Sequence, residues 1–184
     1  MFFSINLLTW LVCLVPIFLI IGPAVTNIGV VLINLIFLTI IFYYKEFSLF
    51  KNKVFIFFII ICMIFIFSSL LSDNIYHSLS SSLFYFRYGI LSLSIIYLSK
   101  KNENFPKLFL LILSLVFLFL IFDSFYQYFN GHNLTGYEYN GFRLSSIFGE
   151  EKILGSFFSR LFPIFFGLII LVFNKSVIPI IIGL

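Results

Sequence analysis

Apolar residues in this chain come in long, nearly unbroken runs. They show neither the alternation of a half-buried strand nor the one-sided stripe of a water-facing helix. A helix needs about 20 apolar residues to cross the hydrocarbon of a bilayer. Runs at about 4–22, 24–44, 54–72, 83–99, 107–128 and 153–173 predict six crossings. A further run begins at Val177 and reaches only Leu184, and eight such residues span about 12 Å as a helix. The expected fold is therefore an all-α, polytopic membrane bundle. It has six full transmembrane helices, the start of a seventh, and one transmembrane domain over 1–184. The chain is expected to be the N-terminal part of a longer protein. Pro16 and Pro23 predict a kink and a tight turn around the first span. The longest polar stretch is about 129–152.

Composition sharpens this picture. Of 184 residues, 62% are hydrophobic, 29 are Phe and only 10% are charged, against about 25% charged in a soluble domain. A water-soluble enzyme, a disordered chain and a nucleic-acid binder are excluded. The abundance of Phe, Ile, Lys, Asn and Tyr also fits an AT-rich coding bias, which lowers the functional weight of the Phe count. Cys13 and Cys62 both lie inside apolar runs, without CxxC spacing, and read as small apolar residues. The first run lacks a cationic segment before it, and the second follows almost at once, so it reads as a retained helix rather than a signal peptide.

The charges sort by loop. Lys45, Lys51, Lys53, Lys100, Lys101, Lys107 and Lys175 fall on one side of the predicted spans. The other side carries Arg143 and Lys152 against Asp73, Asp123, Glu138, Glu150 and Glu151. The positive-inside rule makes the lysine-rich side cytoplasmic and places the N-terminus there too. The 129–152 loop is then outside.

Lysine and arginine are used differently. All three arginines, Arg87, Arg143 and Arg160, fall in the outer half or beyond it. A guanidinium holds a phosphate or carboxylate through two parallel hydrogen bonds, which an ammonium cannot do. Arg87, early in the fourth span within SLFYFRYGI, reads either as snorkelling beside Tyr85 and Tyr88 or as an anion site. Arg160 lies about 10 Å into the sixth span. There it should face protein or a polar cavity, and pairing with Asp123 is one structural reading. Gly155 and Ser159 form a small-xxx-small pair beside it. Arg143 opens RLSSIFGEEKILGS. Glu150 and Glu151 in that segment read as capping charges near a helix start. Asp123 and Gln127, four apart, share one face of the fifth span, and Tyr126 and Tyr128 beside them read as interfacial aromatics.

Other motifs carry less. His77 and His132 lack partners at metal-ligand spacing and read as solvated loop residues, so no metal site is expected. Asn133-Leu134-Thr135 matches a glycosylation sequon, a pattern common by chance. Asn27 and Asn34 are expected to bond across helices. No Walker A, GxSxG, HExxH or dinucleotide fingerprint occurs.

The stretch DSFYQYFNGHNLTGYEYNGFRLSSIFGEEKILGSFFSRLFP, Asp123 to Pro163, resembles the N-terminal half of bacterial O-antigen ligases and polymerases. In that family D..YQ...G.d..G is followed by R(L/P)(S/T)G.F....(I/L).G.(Y/F)L. The earlier SLSSSLFYFRYGI resembles their fourth-helix region, and together the likeness covers about 74–163. The chain departs from the pattern at Ser146, where the family often has glycine.

The resemblance implies a multi-pass glycosyltransferase of the bacterial inner membrane. Such an enzyme takes a glycan from an undecaprenyl-pyrophosphate carrier at the outer face and passes it to lipid A core or another glycan. It implies no cofactor and no nucleic-acid partner. Arg143 and Arg160 would contact the pyrophosphate, with Arg87, Asp123 and Gln127 as further substrate-binding candidates. The family's catalytic loop, with its histidine, would lie beyond Leu184, so the catalytic base is unassigned. Polymerase activity within the family, a flippase or anion transporter, and a non-enzymatic membrane scaffold are the competing readings.

Overall fold

The computed structural model describes residues 2–139 and 141–173, with side chains from residue 5 onward. The run from Val177 and the loop holding Lys175 fall outside these residues. The protein is all-helical, 81% helix, with no strand among the described residues. Five stretches are long and apolar enough to cross a membrane: Pro23–Tyr44, Lys53–Leu70, Ile75–Lys101, Phe105–Asn130 and Leu154–Phe173. This is a multi-pass membrane protein.

The first predicted crossing is divided into α1 (Phe2–Cys13) and α2 (Val15–Ile21). Each is too short to count as a span, which leaves five of the six expected. The cause is Pro16, which has no N–H to donate and whose ring crowds the carbonyl four residues earlier. Next come α3 (Pro23–Tyr44) and α4 (Lys53–Leu70). Proline at the first position of α3 matches its fixed φ and missing donor. Asn52 caps α4, its side chain accepting from the Val54 N–H at 2.9 Å.

The sequence pattern missed α5 (Ile75–Phe84), which leads through Tyr85 into α6 (Phe86–Lys101). Its serine-rich segment is weakly apolar. The hydroxyls of Ser81 and Ser82 donate back to the His77 and Ser78 carbonyls one turn earlier, so the helix absorbs them. Then follow α7 (Phe105–Asn130) and α8 (Leu154–Phe173). Gly131, at φ +78°, ends α7 in the left-handed conformation that glycine adopts freely.

The chain forms two compact units. The first comprises the chain up to Val15 together with Pro23–Glu103. Leu8, Ile33, Phe37, Leu93 and Leu98 are fully enclosed there. Asn34 reaches from α3 to α6, donating to the Arg87 carbonyl at 2.8 Å, as expected of a polar residue inside a span. Lys101 meets Glu46 at 2.7 Å. Both partners are partly exposed, so the pair contributes about 1 kcal/mol at most.

The second unit comprises Pro16–Gly22 and the chain from Asn104. Its core is the face of α7 bearing Leu113, Val116, Phe117 and Leu120, packed against Leu168. The Phe117 ring lies 4.9 Å from that of Phe158 and 5.2 Å from that of Phe165. Ile17 and Ile20 of α2 close the same cluster.

Candidate functional site

The polar chemistry of the second unit gathers where α7 meets the loop 131–149. Asp123 and Gln127 sit one turn apart on α7 and are almost wholly buried (1% and 0% exposed). Ordinarily a buried carboxylate and a buried amide are costly in such a place, because each polar atom loses water. Here the loop supplies the partners. One carboxylate oxygen of Asp123 accepts from the Leu134 N–H at 2.9 Å, and the other accepts from the Ser146 hydroxyl at 2.5 Å. Gln127 Oε1 accepts from the backbone N–H groups of Ser145 (3.0 Å) and Ser146 (2.9 Å). Its Nε2 donates to Ser145 Oγ at 3.2 Å and to the Tyr137 carbonyl at 3.4 Å.

Asn133 is the third organiser. Its Oδ1 accepts from the N–H groups of Thr135 (3.1 Å) and Tyr137 (2.8 Å), and from the Thr135 hydroxyl. This is an Asx-type turn, with Gly136 at φ +90° completing the reversal. Its Nδ2 donates to the Ser146 carbonyl. The sequon asparagine is thus buried and fully engaged, and it serves the loop rather than presenting an acceptor for a glycan.

Two backbone positions show how tightly the loop is drawn. Ser146 adopts φ +51°, a left-handed conformation unusual outside glycine. Gly149, at φ +65°, lies under the Tyr137 ring so closely that an added Cβ would stand 2.9 Å from it. A side chain there would meet both backbone strain and a clash.

Arg143 lies two residues before the latched Ser145 and is exposed. Arg160, on α8, is also exposed rather than enclosed. Pairing between Arg160 and Asp123 is not seen, since both Asp123 oxygens are taken by the loop. No ion pair to either arginine occurs among the described residues. Glu150 and Glu151 precede α8 and lie outside its first turn, so they do not cap it. Arg87 belongs to the first unit and is half-buried beside Tyr88, 4.9 Å from the ring centre. His77 and His132 are exposed. No group of three or more potential metal ligands occurs among the described residues.

Of the five candidates, Asp123 and Gln127 come together in one network with the segment following Arg143. Asn133, Ser145 and Ser146, which complete it, were not picked out as site residues by sequence. Asn133 followed three residues on by Gly136 was the available turn signal. Comparison of the chain with family models, with curated proteins and with solved structures yields no match.

Proposed function

We propose that this chain is an O-antigen ligase-like membrane glycosyltransferase whose described residues bind the donor. It acts at the outer face of the bacterial inner membrane, on a glycan carried by undecaprenyl pyrophosphate, and the acceptor is lipid A core or a similar glycolipid. In this reading α1 and α2 together make the first of six crossings. The N-terminus and the lysine-rich loops are cytoplasmic by the positive-inside rule, and the 131–149 loop is external.

The observation that carries the reading is the double latch of Asp123 and Gln127 onto Ser145 and Ser146. These are the acidic and amide positions of the D..YQ pattern and the two residues that follow Arg143-Leu144. The latch gives the resembling motif a physical reason: it fixes the backbone that carries an arginine. Ser146 adds to this, because the resembling pattern has glycine there and the backbone takes a conformation that glycine favours.

When the glycosidic bond to the carrier breaks, the departing pyrophosphate gains negative charge. Guanidinium groups beside the departing phosphates stabilise that charge. Arg143 and Arg160 fill this role, while Asp123 and Gln127 position the loop and do not touch substrate.

The test is glycan transfer in membranes containing the full chain, donor-loaded undecaprenyl pyrophosphate and lipid A core. Arg143→Lys and Arg160→Lys should each lose at least tenfold in transfer while inserting normally. Near-normal transfer by both would remove the pyrophosphate role. Glycan lengthening on the carrier in place of transfer would identify the polymerase reaction.

A further inference from the structure

Arg87 belongs to the first unit and presents its own problem of charge. It is the second residue of α6 in a stretch, Ile75–Lys101, apolar enough to cross a membrane. Fourteen residues separate it from Lys101, about 21 Å along a helix, so it sits well above the lysine-rich end and within reach of the opposite interface.

Its guanidinium is only partly provided for. One terminal nitrogen donates to the Tyr88 hydroxyl at 3.1 Å, and the group packs over the same ring. Its Nε is buried without any hydrogen-bond partner among the described residues. No carboxylate pairs with it among the described residues. A half-buried cation with one hydroxyl acceptor, an unsatisfied Nε and no counter-charge among the described residues is costly, and cation–π contact with one tyrosine offsets only part of that.

The space beside it suggests what completes it. A cavity of about 390 Å³ opens at the same place, lined by Arg87, Ser81, Phe84, Tyr85 and Tyr88. Its walls combine aromatic surface with the hydroxyls of Ser81, Tyr85 and Tyr88 and one positive charge, and the lining residues include no acid. An anion with an apolar continuation meets all of these features at once. The phosphoryl group would take the free face of the guanidinium, and the aromatic rings would cover the adjoining glycerol or acyl carbons.

We propose that this cavity is a phosphoryl-binding site occupied by the head group of a membrane phospholipid, with Arg87 as its charge and Tyr88 as the residue that orients the guanidinium. The site lies in the first unit and does not depend on the transfer reaction proposed above, so its test uses no transfer readout.

The experiment is native mass spectrometry of the full chain released from detergent. Phosphatidylglycerol is supplied in one arm, uncharged diacylglycerol in a second, and phosphatidylglycerol with millimolar inorganic phosphate in a third. The wild type should retain one phosphatidylglycerol and no diacylglycerol. Arg87→Gln should cut that occupancy at least tenfold. Ser81→Phe, which fills the cavity while leaving Arg87 in place, should do the same and covers the case in which Arg87→Gln fails to fold.

Displacement of the lipid by inorganic phosphate would assign the site to free phosphate and overturn the lipid assignment, whereas its persistence supports a lipid head group. Wild-type occupancy in Ser81→Phe or in folded Arg87→Gln, or equal retention of diacylglycerol, would overturn the proposal outright.

Discussion

Gln127 Oε1 accepts hydrogen bonds from the backbone N–H groups of both Ser145 and Ser146, eighteen and nineteen residues further along the chain. One side-chain oxygen on α7 therefore closes a long excursion. Such an amide would be a liability if the loop moved away, because its acceptor and the two amides would lose their partners together.

Replacing Gln127 should release the loop without unfolding the helices. Gln127→Leu leaves two buried backbone amides without acceptors, at about 1–3 kcal/mol each. Limited proteolysis of the purified protein should show cleavage within 131–149 at least tenfold faster than in the wild type, with α7 and α8 intact by circular dichroism. A Gln127→Leu loop as resistant as the wild type would contradict the latch.

Two substitutions at Ser146 separate its hydroxyl from its backbone. Ser146→Ala loses the bond to the Asp123 carboxylate and keeps the left-handed strain. Ser146→Gly loses the same bond but relieves strain worth about 1–2 kcal/mol. Thermal unfolding in detergent should therefore rank wild type above Ser146→Gly, and Ser146→Gly above Ser146→Ala. Equal stability of the two variants would show that the backbone at 146 is unstrained.

Orientation can be read with single cysteines, since Cys13 and Cys62 are buried and their background labelling should be low. In intact cells, a membrane-impermeant maleimide should label Glu138→Cys and spare Lys51→Cys until the membrane is permeabilised. The opposite pattern would invert the proposed topology and remove the loop from the external face.

What was legible in the sequence follows from what the bilayer demands. Hydrocarbon accepts only runs of apolar residues with their backbone bonds closed internally, and those runs are visible in a string of letters. Hence α3, α4, α7 and α8 lie within a few residues of their expected bounds. The exceptions are local. Pro16 divided the first run, where hydropathy registers nothing, and α5 was hidden because serines lower the hydropathy while still bonding within the helix.

The candidate site divides in the same way. The four-residue spacing of Asp123 and Gln127 already placed them on one face of a helix, because the helical period alone decides that. What they hold was decided only by the tertiary structure. Their partners, Leu134, Ser145 and Ser146, lie between eleven and twenty-three residues from them, across a loop whose path depends on Gly131, Gly136 and Asn133 turning together. Sequence alone determined that this chain is a helical membrane protein with its polar residues rationed to a few places. Folding decided that two of those residues face inward to hold a loop, and that Arg87 lies beside a cavity without a counter-charge among the described residues. Span formation depends on composition within one segment; a hydrogen-bonded latch depends on distances between segments, which no single segment encodes.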